Sequence, residues 1–205
     1  MLRTLSLILG FAAGQPLPDE DDGPARRFQL GLIAWLAALV FAAIFGAAAG
    51  SSALMLALGN IIKVPVVVLL SSLCALPAGF LAWKLSGARI AASDLLLSFG
   101  SAVFAGTLVL AATSPLVALY YHTSAWAGPA LGIGSVFLSL VVASALFIRG
   151  ATSRVTKPAR RRTVVFPVAV LLFMQTATLL QLVAMASPIL PEVTVFDGGI
   201  DRMVQ

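Results

Sequence analysis

The chain has 205 residues, 60% of them hydrophobic and only 10% charged, with a net charge of +5 and a mean hydropathy of +1.04. Soluble domains average about 45–50% apolar and about 25% charged residues, so a single water-soluble core is excluded. One cysteine, Cys74, and one histidine, His122, exclude an internal disulfide and leave too few ligands for a Cys/His zinc site.

Residues 1–14 place Arg3 ahead of a short apolar stretch. We read it as an interfacial helix on the cytoplasmic leaflet, although its length also fits a secretory signal peptide ending near Ala12-Ala13-Gly14. Residues 15–24 hold Asp19, Glu20, Asp21 and Asp22 among prolines, a composition too polar to pack and expected to be disordered. Five membrane spans follow, at about 28–50, 64–85, 95–121, 125–148 and 164–187. The fold class is therefore an all-α polytopic membrane bundle, with a cytoplasmic segment 1–27, a membrane domain 28–187 and an external tail 188–205. Runs such as Val66-Val67-Val68-Leu69-Leu70 lack the alternation of a transmembrane β-barrel.

Proline placement marks the starts. Pro65, Pro129 and Pro167 fall in the first turn of an expected helix, where the missing N–H costs nothing, whereas Pro77 and Pro115 interrupt helices two and three. Residues 51–62 are apolar but too short to cross, and read as an interfacial or re-entrant segment ahead of Lys63, which would snorkel to the outer interface.

Between spans four and five lies a basic bridge, residues 149–162, carrying Arg149, Arg154, Lys157, Arg160, Arg161 and Arg162 and no acidic residue. With Arg3, Arg26, Arg27, Lys84 and Arg89 it puts eleven basic residues on one side, against Lys63 and Arg202 on the other. Lysine and arginine in short loops set orientation, so the amino terminus is expected inside and the carboxyl terminus outside. Basic residues beside spans point to anionic lipid rather than nucleic acid, and Arg154, Lys157, Arg160, Arg161 and Arg162 are the expected contact for lipid or an acidic partner.

Ionisable groups near the spans are few. Asp94 at the start of span three fits a helix N-terminus near Lys84 and Arg89, and about 30 Å of helix separates it from Lys63. Pro77 frees the carbonyl of Leu73 and Pro115 that of Ala111, and the hydroxyls of Ser71, Ser72, Thr113 and Ser114 are candidates to answer them. Paired interruptions of this kind also occur where transporters build midplane sites. In span five Met174, Thr178, Gln181 and Met185 recur at helical spacing with Gln175 and Thr176 beside them. Ser72, Thr113, Gln175 and Gln181 are the expected intramembrane polar contacts, made to neighbouring helices. Ala42, Gly46 and Gly50, and Gly128 and Gly132, offer small-residue faces for close packing. No metal-binding helix motif, intramembrane aspartate pair or phosphate-cradling loop is present, and a Ser–His nucleophile would rest on His122 in a short turn. No cofactor is expected.

Five spans with an inner amino terminus and an outer carboxyl terminus resemble the Yip1 family of small multipass proteins. The stretch Ile62-Lys63-Val64-Pro65 through Leu73-Cys74-Ala75-Leu76-Pro77, followed by Gly87-Ala88-Arg89, is similar to bacterial Yip1-like proteins of unassigned function. The resemblance covers residues 28–148 and implies a membrane organiser or adaptor; it carries over no binding residue. The alanine-rich, arginine-over-lysine composition suits a bacterial inner membrane protein. The expected function is a non-enzymatic subunit, scaffold or adaptor acting through helix–helix contacts. The rival is a small transporter or channel subunit built around Pro77 and Pro115.

Overall fold

Where lipid excludes water, backbone N–H and C=O groups find partners only within the chain, and uninterrupted helices are the result. The computed structural model describes residues 2–12, 15, 17–18, 23–87, 91–123, 126–153 and 158–186. They form six helices: α1 (Leu2–Ala12), α2 (Pro24–Ala49), α3 (Leu54–Leu85), α4 (Ala92–Thr123), α5 (Ala127–Ser153) and α6 (Pro158–Ala186). Helices α2 to α6 are long and apolar enough to cross a membrane, which makes this a multi-pass architecture.

The second crossing is longer than the sequence reading gives it. Residues 54–62 do not form a separate segment but open α3, which runs unbroken through Pro65 and Pro77 for 32 residues. Its apolar run continues straight across Lys63-Val64-Pro65, and a membrane helix tolerates the lost donor. Pro65 therefore lies inside α3 and Pro167 inside α6, while Pro129 keeps its place in the first turn of α5. Lys63 stands roughly 14 Å along α3 at 1.5 Å per residue. Its chain runs back over Gly59, with Cε 3.8 Å from where a Cβ at that glycine would stand, toward the start of the helix. That is the snorkelling direction.

The basic bridge is also more helical than a loop. Arg149 lies within α5, and the backbone of Arg160, Arg161 and Arg162 belongs to the first turns of α6, which Pro158 opens. Arg154 and Lys157 lie outside the described residues, as do Arg89, the acidic run 19–22, residues 13–14 and the tail 188–205.

Around the bundle the order of close approach is α5, α4, α2, α3, α6, and α5 and α6 touch each other only slightly. The α2–α3 and α2–α4 pairs depend on small residues. A Cβ at Gly46 would overlap the carbonyl oxygen of Asn60, and one at Gly50 would lie 2.6 Å from Ala57 Cα. Gly100 meets Gly31 in the same way, with 2.7 Å between its would-be Cβ and the Gly31 oxygen. This is the close backbone approach that Ala42, Gly46 and Gly50 lead one to expect. Gly128 likewise abuts Tyr121 across the α4–α5 turn.

As the most buried of the long helices, α4 passes through all three clusters of buried apolar side chains. One joins Phe99 and Phe147, whose rings stand 5.5 Å apart, to Val168 and Leu171 of α6. Another gathers Phe45, Val64, Val68 and Leu110. The third seats α1: Ile8 and Phe11 are buried against Leu30 and Ala34 of α2 and Leu97 of α4. The apolar face of the short amino-terminal helix is thus covered by protein, where the sequence reading gives it to lipid. Leu17, in the acidic linker, joins the same cluster.

At this end of the bundle Arg27 of α2 and Asp94 of α4 form an ion pair at 2.8 Å. Asp94 occupies the first turn of α4, where the helix dipole also favours a carboxylate.

Candidate functional site

Ser71 and Ser72 lie on the buried face of α3. Their hydroxyls both donate to the carbonyl of Val68, at 3.1 and 2.7 Å. With each hydrogen committed, the two oxygens can only accept. Gln175 of α6 meets both, its Nε2 lying 3.1 Å from the Ser71 hydroxyl and 3.1 Å from that of Ser72. The serines thereby fix the amide's orientation: nitrogen toward α3, oxygen away from it. Gln175 is 9% exposed, and its Oε1 is buried and accepts no hydrogen bond among the described residues. One turn on, Thr178 turns its hydroxyl to the carbonyl of Met174 and reaches Ser71 O at 3.4 Å.

Gln175 lines a cavity of about 80 Å³ enclosed by α3, α4, α5 and α6. Its other polar walls are Thr107, Ser139, Ser144 and Thr176, set among apolar side chains, and no charged residue borders it. Ser139 donates across the α4–α5 interface to the Gly106 carbonyl at 2.8 Å. Thr107 bonds back to Val103 and Phe104. With their hydrogens so engaged, the Thr107 and Ser139 hydroxyls have only lone pairs left to offer. A second, almost wholly apolar space of about 140 Å³ adjoins the first, sharing Val68, Leu110, Val136, Leu140 and Leu179 with it.

The residues singled out from the sequence divide. Ser72 and Gln175 come together, with Ser71 as third partner. Thr113 stays on its own helix, donating to Val109 and Leu110 carbonyls at 3.1 and 3.0 Å. Gln181 lies on the exposed surface of α6, outside the bundle interior. Pro77 and Pro115 are both exposed, and neither lines either of these two spaces. The four hydroxyls do not serve the carbonyls these prolines release, because a helical hydroxyl reaches back three or four residues. Ser71 and Ser72 therefore cannot reach Leu73 ahead of them, and Ser114 takes Leu110 at 2.9 Å in preference to Ala111. Ser114 and His122 are separated by about 12 Å of helix, so they form no nucleophile–base pair.

Three features were not found from the sequence: the Arg27–Asp94 pair, the wholly buried Asn60 where α2 and α3 touch, and the inter-helix bond from Ser139. Gly46 is the one sequence signal for Asn60, since a small residue on α2 admits a backbone at that level.

Comparison of the chain with protein-family models, with curated proteins and with solved structures finds no match.

Proposed function

We propose that this is a non-enzymatic integral membrane protein, acting as a subunit, scaffold or adaptor through helix–helix contacts. The carrying observation is the position of Gln181, an amide on the outer surface of a membrane-capable helix. In hydrocarbon such a group gains from a partner helix, because nothing in the lipid tails answers it. Two polar side chains of the interior bond across helices within the chain instead, Gln175 with Ser71 and Ser72 and Ser139 with Gly106. On the same reading the chain is a Yip1-like protein of a bacterial inner membrane, with its amino terminus in the cytoplasm. The basic residues Arg154, Lys157, Arg160, Arg161 and Arg162 then meet anionic lipid or an acidic partner at the inner surface. The test is purification in mild detergent. A stoichiometric membrane partner or second copy is retained by the wild type and by Pro77→Ala and is lost from Gln181→Leu; retention by Gln181→Leu refutes the role given to that amide.

A second reading, a small transporter or channel subunit, draws on the cavity beside Gln175, since the exposed Pro77 and Pro115 border neither space. It requires solute flux in proteoliposomes that Gln175→Leu abolishes.

A further inference from the structure

We propose that the apolar space between α5 and α6 is an intramembrane site for one acyl chain of a bilayer phospholipid. Access comes first. Because α5 and α6 touch only slightly, the seam between them is the open side of the bundle. Phe137 of α5 and Leu180 of α6 line the space and are 65% and 54% exposed, so it opens sideways onto the lipid-facing surface. An occupant enters from hydrocarbon, not from water.

Lining, size and depth each narrow the occupant. Every residue lining the space is apolar, so water gains no partner there and a polar head group would lose its hydration without replacement. A volume of about 140 Å³ admits no second helix, which is about 10–12 Å across with its side chains. A hydrocarbon chain is thin enough, and its methylenes supply the dispersion contacts that an unfilled apolar hollow forfeits on every wall. On α5 the lining runs from Gly132 to Leu140, about 8 to 20 Å in from the start of the helix at 1.5 Å per residue. Phe45 and Val183 lie within about 6 Å of the ends of α2 and α6, at the same side of the bundle. In a hydrocarbon core about 30 Å thick, this is the depth of the chains of one leaflet and not of its head groups. The acyl chain therefore descends from the leaflet on the side of the α4–α5 turn, and its head group stays outside the space. The smaller space beside Gln175, walled in part by Ser139, Ser144 and Thr176, is not part of the site. Since α5 and α6 have little contact of their own, a chain held between them is packing that both helices share.

The full chain would be purified from membranes in mild detergent and weighed by native mass spectrometry. The wild type is expected to keep a single phospholipid through washing that strips the rest, and Leu140→Trp, which fills the space from α5, to keep none. Removing that lipid with harsher detergent should lower the thermal midpoint of the wild type by several degrees, because a ligand of the folded state stabilises it. Phosphatidylethanolamine and phosphatidylglycerol should restore the midpoint alike, since only the chain is held; that of the Trp variant should not move. In nanodiscs, a phospholipid with a diazirine midway along one chain should label residues 132–140 and 179–183 severalfold more than Val40 and Ile44, exposed on α2 about 14 and 8 Å from its end. This labelling uses the wild-type protein, so it stands even if the variant fails to fold. Labelling of the seam no greater than that of α2, loss of every lipid from the wild type in the first wash, or restoration by one head group alone would overturn the proposal.

Discussion

The side-chain nitrogen of Gln175 stands 3.1 Å from the hydroxyl of Ser72, which itself donates to the Val68 carbonyl at 2.7 Å. This chain of two bonds, with its twin through Ser71, joins α6 to α3 within the bundle. It also fixes the orientation of the amide, with its nitrogen toward α3.

Because the three side chains act as a unit, their substitutions should not add. The Ser71→Ala, Ser72→Ala double variant should lower stability by about 1–2 kcal/mol, since the amide then loses both acceptors. Adding Gln175→Leu should cost little more. Reversible unfolding in mixed micelles measures both, and fully additive losses would mean the contact contributes nothing as a pair.

The Arg27–Asp94 pair, 2.8 Å apart and largely buried, ties the starts of α2 and α4 together. Asp94→Asn should destabilise the bundle by about 1–3 kcal/mol, leaving a guanidinium without its counter-charge. Exchanging the two residues, Arg27→Asp with Asp94→Arg, should recover part of this, because both lie in the first turn of their helices and the exchange keeps one charge of each sign at the two helix starts. Thermal aggregation of the purified variants ranks them.

Close helix packing can be tested with a matched pair of glycines. Gly100→Ala should cost about 1–3 kcal/mol, because its Cβ would stand 2.7 Å from the Gly31 carbonyl oxygen and neither backbone can yield cheaply. Gly134→Ala, where nothing lies within 4 Å, should be neutral or stabilising by up to about 1 kcal/mol through helix propensity. A thermal midpoint lowered equally by both would remove the distinction.

The number of crossings was legible because lipid imposes a minimum length on each apolar run, and the small-residue faces were legible because only Gly and Ala let backbones touch. The start of α3 was not. Lys63-Val64-Pro65 reads as an entry signal, yet the apolar stretch before it is already helical, and Pro65 is carried inside. Nor could sequence pair Arg27 with Asp94: Arg26, Lys84 and Arg89 are equally plausible partners until the helix order is known. Gln175 and Gln181 look alike in the α6 pattern, but six residues turn them onto different faces, one buried and one exposed. That difference separates an internal clamp from an exposed amide, and it depends on where α3 lies.

The central claim, that the exposed face of α6 around Gln181 meets another membrane helix, is tested most directly by cross-linking in native membranes. A benzophenone maleimide would be coupled to Gln181→Cys in a Cys74→Ser background, with Phe173→Cys, exposed at another level of α6, as the control. The account predicts one discrete adduct from position 181, with a second copy or another membrane protein, and none of that mass from position 173. Lipid adducts alone from both positions would contradict it.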